Sequence, residues 1–386
     1  MSSDSGAQIV ATLGEFALID RLAGALAEVR AAAAPNLLGI GDDAAIWTPT
    51  PNTRAVITTD SLIAGIHFRL DWTTWHDLGH KALAVNLSDI AAMGARPRLA
   101  TISLGLTGQE RVADLLDLYR GLGTLAAQHK VIIAGGDIVA SPERLGLHLT
   151  VIGESWPEAA GRLLTRDAAH PGDLLATSGH LGLAAAGLKL LLENGRVGQW
   201  ASGPEGSLHH STLDTRRSLL AHSPTGPLAH VAHDSRLTTH DYLTAHHRPA
   251  PRITYGRTLI AAEVRVAMDL SDGLFGDLAK ICARSNVGAR IDEAALPVPA
   301  TLRAQFPNDW LTLATRGGED YELLFTAPAA VIDRLHALCA AQNLPAPAII
   351  GAILPPPTSG PPITLRRADG TDEAIGGGAF DHFGGR

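Results

Sequence analysis

Nine carboxylates stand where an apolar run meets a turn: Asp42, Asp43, Asp60, Asp89, Asp137, Asp269, Asp272, Glu319 and Asp320. Each sits where a strand or buried segment meets a Gly-, Ser- or Thr-containing turn, in GIGDDAA, TTDS, NLSDIA, AGGD, DLSDG and GGEDYE. Any one alone is an ordinary cap or turn residue. Together, without His or Cys partners, they make an oxygen-only donor set suited to a hard cation such as Mg²⁺. Thr58 and Thr59 offer further oxygen ligands. A site of this kind neutralises a polyphosphate and holds the transferring group in line with an acceptor. Phosphoryl transfer asks for positioning and charge neutralisation more than for a protein nucleophile. The chain accordingly has no nucleophile elbow and no Cys–His pair that points to one.

Two stretches imitate the dinucleotide fingerprint G-x-G-x-x-A. In Gly39-Ile-Gly41-Asp-Asp-Ala44 the carboxylates occupy the place of a pyrophosphate, which they repel unless divalent cations lie between. Gly121-Leu-Gly123-Thr-Leu-Ala126 falls inside a predicted helix rather than after a strand, which marks it as chance. The dipeptide Gly-Lys is absent, which excludes a Walker A loop. His67 follows the Thr58–Asp60 turn and reads equally as a structural residue or a substrate contact. Arg166 is a phosphate clamp or a surface arginine. Tyr119 reads more readily as packing than as base stacking.

The elements that must position these groups alternate between strand and helix. The central one is Lys81–Pro97, KALAVNLSDIAAMGARP, where Ala82, Val85, Asp89, Ala92 and Met93 recur at helical spacing. Asp89 lies on that apolar stripe, where a bare carboxylate is costly unless paired or bound to a cation. Strands are expected at 54–60, ending in Thr58-Thr59-Asp60, at 99–106, at 131–134, stopping at Gly135-Gly136-Asp137, and at 145–153. Further strands are expected at 174–177, 264–274, 323–327 and 348–354, with helices at 110–129, 182–192, 275–285 and 329–342. The class is α/β (α+β). With 386 residues two domains are expected, 1–157 and 158–386. Residues 196–247 hold eight of the 17 histidines among Ser, Gly, Pro and Thr, and read as a flexible surface insertion rather than a metal site. The segment from Ile9 to Val29 is too charged to span a bilayer and reads as one amphipathic helix continuing through the alanines at 31–34. A net charge of −8 argues against nucleic-acid or anionic-membrane surfaces. Two distant cysteines and no basic leader fit a reducing cytoplasm.

In order along the chain, GEFALIDRL (14–22), GIGDDAA (39–45), TTDSLIAGIHF (58–68), KALAVNLSDIAAMGARP (81–97), IAGGD (133–137), GRLLTR (161–166), PGD (171–173), HRPAPRI (247–253), MDLSDGL (268–274), GGEDYELLF (317–325) and FDHF (380–383) resemble the motifs of thiamine-monophosphate kinases. That family sits in the superfamily of aminoimidazole ribonucleotide synthetase and selenophosphate synthetase. The resemblance implies a two-domain synthetase-like fold, with an N-terminal sheet forming a barrel across a homodimer, a C-terminal α/β domain and ATP held between them. It implies transfer of the ATP γ-phosphoryl group to thiamine monophosphate within thiamine biosynthesis. By motif position, Asp43, Thr58, Thr59, Asp60, Asp89, Asp137, Asp269 and Asp272 hold Mg²⁺. Tyr119, Gly136, Asp137, Arg166 and Ser271 contact ATP. His67, Glu319 and Phe380 contact the thiamine moiety. The family often carries Tyr or Trp where Phe380 stands, and the 196–247 stretch is longer than its usual counterpart. Two other readings remain: the same fold with a different acceptor, or a non-catalytic thiamine-phosphate or metal-binding protein. Selenide phosphorylation favours a Cys near the N-terminus, and none is present.

Overall fold

The computed structural model describes residues 8–26, 37–38, 40, 44–200 and 237–376, with backbone only at 37–38 and 194–200. Asp42, Asp43, Phe380, the alanines at 31–34 and 201–236 of the insertion lie outside the described residues. The chain divides into two compact units, residues 1–90 with 95–161, and residues 91–94 with 162–386.

The first unit opens on α1 (Val10–Leu13) and α2 (Glu15–Ala25), where the periodicity predicts a single helix. Gly14 separates them at φ 82°, a conformation that ends a helix and that glycine adopts without steric cost. A short pair, β1 (Leu37–Leu38) and β2 (Ile46–Trp47), precedes β3 (Ala55–Ile63), α3 (Trp75–Ala92), β4 (Ala95–Leu106), α4 (Val112–His129), β5 (Ile132–Ala140) and β6 (Gly146–Ser155). The sheet order is β3-β6-β4-β5. β4 and β5 are parallel, joined by α4, as a parallel pair requires a long crossover. β6 is antiparallel to both neighbours. All four strands run further than expected: β4 begins at Ala95, within the stretch read as helical to Pro97, and β6 ends at Ser155 rather than Gly153. β3 continues three residues past Asp60, and Gly135-Gly136-Asp137 lies inside β5 rather than ending it.

Gly121, a fingerprint impostor in the sequence, has a packing role. A Cβ there would sit 1.9 Å from the His76 carbonyl oxygen, and one on Gly79 would sit 1.9 Å from that of Leu118. α3 and α4 therefore cross backbone to backbone through reciprocal glycines. Gly121→Ala should lower stability by about 3 kcal/mol, the scale of an overpacked interior. A urea midpoint unchanged by the substitution would contradict this crossing.

The second unit runs β7 (Leu174–Thr177), α5 (Leu183–Trp200), α6 (Thr239–His247), α7 (Ile253–Ala261), β8 (Val266–Asp269), α8 (Leu274–Ser285), β9 (Gly288–Asp292), α9 (Ala300–Gln305), α10 (Trp310–Arg316), β10 (Leu323–Ala327), α11 (Ala329–Ala341), β11 (Ala348–Leu354), β12 (Ile363–Arg366) and β13 (Asp372–Ile375). Its seven strands lie in the order β13-β12-β9-β11-β7-β10-β8, antiparallel except for β12 beside β9. β8 and β10 are buried at every position, so their sequences, VAMD and LLFTA, are mostly apolar and do not alternate.

The surface-insertion reading of 196–247 needs correction at its C-terminal end. Thr238 caps α6 in a capping box with Asp241, and His246 and His247 are buried in its last turn. Its composition looks loop-like because the helix turns polar side chains into a packed interior.

Candidate functional site

In the first unit the site is built where α3 meets β3. Side chains alternate across a strand, so Thr58 and Asp60 share one face and Thr59 and Ser61 the other. The Thr58 hydroxyl donates to Asp89 Oδ2 on α3 at 2.5 Å. The Asp60 carboxyl is pushed up to about 6, first by burial and then by the charge of Asp89. Two carboxylates that repel one another beside a hydroxyl, with no nitrogen or sulfur ligand, form an oxygen set that a hard divalent cation would relieve. This donor chemistry fits Mg²⁺. Among the described residues, which omit Asp42 and Asp43, no three His, Cys, Asp or Glu side chains gather closely enough to hold a metal ion.

Thr59 and Asp137 stand elsewhere. The Thr59 hydroxyl donates to the Leu149 carbonyl and accepts from the Thr150 hydroxyl at 3.1 Å. Asp137 shares a row of the sheet with Ser103, His148 and Ser61, and its Oδ1 accepts the Ile138 N–H at 2.9 Å. That row belongs to the face bearing Ile57 and Val139, 67% and 48% exposed. Gly136, beside Asp137, leaves no room for a side chain, because a Cβ would sit 2.0 Å from the Ile102 carbonyl oxygen. His67 closes the turn after β3: its Nδ1 accepts the Ile63 N–H at 3.0 Å, which leaves the Nε2 edge to carry the ring proton. Tyr119 is buried in the core of this unit, and burial raises its hydroxyl pKa.

In the second unit the two acidic motifs lie against each other. Glu319 N–H donates to the Ser271 carbonyl and Tyr321 N–H to that of Leu270, both at 2.9 Å. Gly318 must be glycine here, since a Cβ would sit 2.4 Å from the Ser271 oxygen. Glu319 and Tyr321 hold φ of 71° and 50°, left-handed values that non-glycine residues keep only where the surroundings impose them. The DLSDG turn is organised by Asp277, fully buried in the first turn of α8, whose Oδ2 accepts the Ser271 and Asp272 N–H groups at 3.0 Å. Lys280 Nζ bridges Asp272 Oδ2 at 2.6 Å and Asp277 Oδ1 at 2.7 Å. Asp269 is buried at the end of β8. Arg166 is exposed, with its carbonyl accepting the Ser285 hydroxyl at 2.7 Å.

The neighbours of Glu319 have structural tasks that sequence reading did not separate. Asp320 caps α5 from a distance, accepting Gly182 N–H at 2.8 Å and Ala184 N–H at 3.3 Å. Burial, with Glu322 and Glu319 nearby, pushes its carboxyl up to about 8. The folded state therefore holds this proton more tightly than the unfolded chain. Its contribution is complete below about pH 4 and is lost as pH rises toward 8. Asp320→Asn removes the charge and keeps one of the two accepting oxygens. Relative to that variant, the wild type should lose about 2 kcal/mol between pH 5 and 7, read from urea midpoints. A constant difference across that range would remove Asp320 as the source. Glu322 is buried in a fork from Arg252, with Nε at 2.8 Å from Oε2 and Nη2 on Oε1. The Ser178 hydroxyl donates to the same Oε2 at 2.5 Å.

Comparison with known proteins places these features in a family. The N-terminal domain model of AIR synthase related proteins matches residues 41–155, and the corresponding C-terminal domain model matches 170–360. The thiamine-monophosphate kinase of Bacillus subtilis strain 168 is 33% identical over 308 residues, covering 80% of this chain and 83% of the relative. A crystal structure of thiamine-monophosphate kinase from Stenotrophomonas maltophilia K279a aligns with a TM-score of 0.70 at 36% identity, covering 94% of this chain and 98% of that one. A further structure, AaThiL complexed with AMPPCP and TMP, aligns with a TM-score of 0.65 at 27% identity, covering 97% and 98%.

Proposed function

Because this chain belongs to the AIR synthase related family and, within it, to the thiamine-monophosphate kinases, we propose that it transfers the γ-phosphoryl group of ATP directly to the phosphate of thiamine monophosphate. The products are thiamine diphosphate and ADP. The near full-length likeness to a kinase structure holding an ATP analogue and TMP carries this reading. When bound, Mg²⁺ neutralises the phosphate oxygens and aligns the transferring group. In the first unit, Asp43, Thr58, Asp60 and Asp89 are the groups we assign to it; Thr59 and Asp137, grouped with them by motif position, face the other side of the sheet. In the second unit they are Asp269 and Asp272. Tyr119, Gly136, Asp137, Arg166 and Ser271 are assigned to ATP, and His67, Glu319 and Phe380 to the thiamine moiety. Tyr119 is buried, which counts against its direct contact with ATP and for a part in shaping the core behind the site.

The chain's own residues supply orientation rather than a nucleophile. The Thr58 hydroxyl fixes one oxygen of Asp89, and Asp277 fixes the turn that presents Ser271 and Asp272. An ADP-release assay with thiamine monophosphate and with thiamine tests the reading. Turnover with the monophosphate alone is expected. Tight binding without ADP release would instead mark a non-catalytic binding protein.

We assign the working form as a cytoplasmic homodimer. Among the described residues no helix is long and apolar enough to cross a membrane. The support for a second copy is the uncovered sheet face carrying Ile57, Thr59, Ser61 and Val139. Ile57→Asp should convert a dimer to a monomer in light scattering. A mass unchanged by this substitution would place the interface elsewhere.

A further inference from the structure

The two helices that flank residues 201–236 grip adjacent residues of one loop. α5 is held at its N-terminus by Asp320, as described above. α6 brings His246 to the preceding residue: Nδ1 stands 3.1 Å from Glu319 Oε2, an ion-pair distance off the line of an ideal hydrogen bond. The His246 ring is locked. The residue is 6% exposed, its ring lies edge-on to that of His247 at 5.1 Å, and its Cβ stands over Gly187 of α5. A Cβ at Gly187 would sit 2.2 Å from the Tyr242 carbonyl and 3.0 Å from the His246 Cβ, so the helices touch directly beneath the histidine. Glu319 itself has a backbone fixed in the left-handed region, while its carboxylate swings on rotatable bonds. A buried ring at ion-pair distance removes that freedom.

We propose that His246 is a positioning residue for the Glu319 carboxylate, so that the end of the insertion takes part in recognising thiamine monophosphate. This rests on the assignment of Glu319 to the thiamine moiety. His246 touches neither phosphate nor metal in this account. It acts by holding Glu319 in one orientation, which lowers the ordering cost on binding.

The test is a double-mutant cycle read as separate KM values. His246→Leu should raise KM for thiamine monophosphate about tenfold and leave KM for ATP within about twofold, the latter reporting a folded enzyme. His246→Asn, which keeps a nitrogen near the Nδ1 position, should recover most of the loss. On a Glu319→Gln background, His246→Leu should add less than about twofold. If His246→Leu yields no folded protein, His246→Gln takes its place with the same expected split, because its longer amide misplaces the nitrogen. Both KM values moving together, or the full effect persisting on the Glu319→Gln background, overturns the proposal. If Glu319→Gln alone leaves KM for thiamine monophosphate unchanged, the assignment of Glu319 has failed and the proposal falls with it. If Glu319→Gln raises that KM and His246→Leu does not, only the positioning role has failed.

Discussion

Asp89→Asn is expected to lower turnover about 10³-fold, equivalent to about 4 kcal/mol of transition-state stabilisation, while leaving the fold intact. The substitution removes one charge at nearly constant volume. The Asn side chain still accepts the Thr58 hydroxyl, so the junction of α3 with β3 persists. What disappears is one of the two carboxylates whose repulsion helps to lift Asp60 to about 6. Freed of that neighbour, Asp60 should titrate lower. The oxygen pair that suits a divalent cation would then be reduced to one anion. Steady-state kcat at saturating Mg²⁺, with circular dichroism as the fold control, checks this. Near-normal turnover would falsify the placement of Asp89 among the metal ligands.

Arg252→Met is expected to destabilise the protein by about 3–5 kcal/mol, the range for breaking a buried pair and leaving one charge alone. Glu322 sits at 4% exposure in the Arg252 fork, and Ser178 bridges it to the Leu323 N–H at 2.8 Å. Gly179 allows the carboxylate this close, since a Cβ there would stand 2.5 Å from Oε1. Most of the penalty is the unpaired charge rather than the lost contact. The double variant Arg252→Met/Glu322→Gln should therefore recover much of the stability, because the amide carries no charge to strand. Urea midpoints of the two variants decide it. A double variant no more stable than the single one would mean that the arginine contributes by packing alone.

Where an element is an apolar run between turn signals, its limits were legible. Strands β7, β10 and β11 span 174–177, 323–327 and 348–354 as the residues alone indicate. Burial there leaves little choice of side chain. Glycine was the least legible residue. Gly135-Gly136 reads as a strand terminus yet lies within β5, where register shifts and the backbone passes close to β4. Gly121, whose match to a dinucleotide fingerprint is chance, serves a helix crossing. The β12–β13 hairpin lies in a Gly- and Pro-rich tail with no apolar run long enough to mark its strands. For the acidic motifs, residue type and neighbourhood were legible but division of labour was not. Thr58 and Thr59 are adjacent in sequence and point to opposite faces of one strand. Glu319, Asp320 and Glu322 look interchangeable in GGEDYE. One faces His246, one caps a helix and one is buried against an arginine, because the partners come from residues 178–184, 246 and 252, remote in sequence. Asp277 was passed over, although an acidic residue in the first turn of a helix directly after DLSDG is a recognisable signal for bracing that turn.

The central claim is a direct handover of phosphate from ATP to thiamine monophosphate, and ³¹P NMR of a single reaction mixture tests it. With ATP, Mg²⁺ and thiamine monophosphate present, the diphosphate resonances of thiamine diphosphate should grow in step with those of ADP, and free thiamine in place of the monophosphate should give no phosphorylated product. Orthophosphate appearing with ADP while the thiamine monophosphate signal stays constant would contradict it.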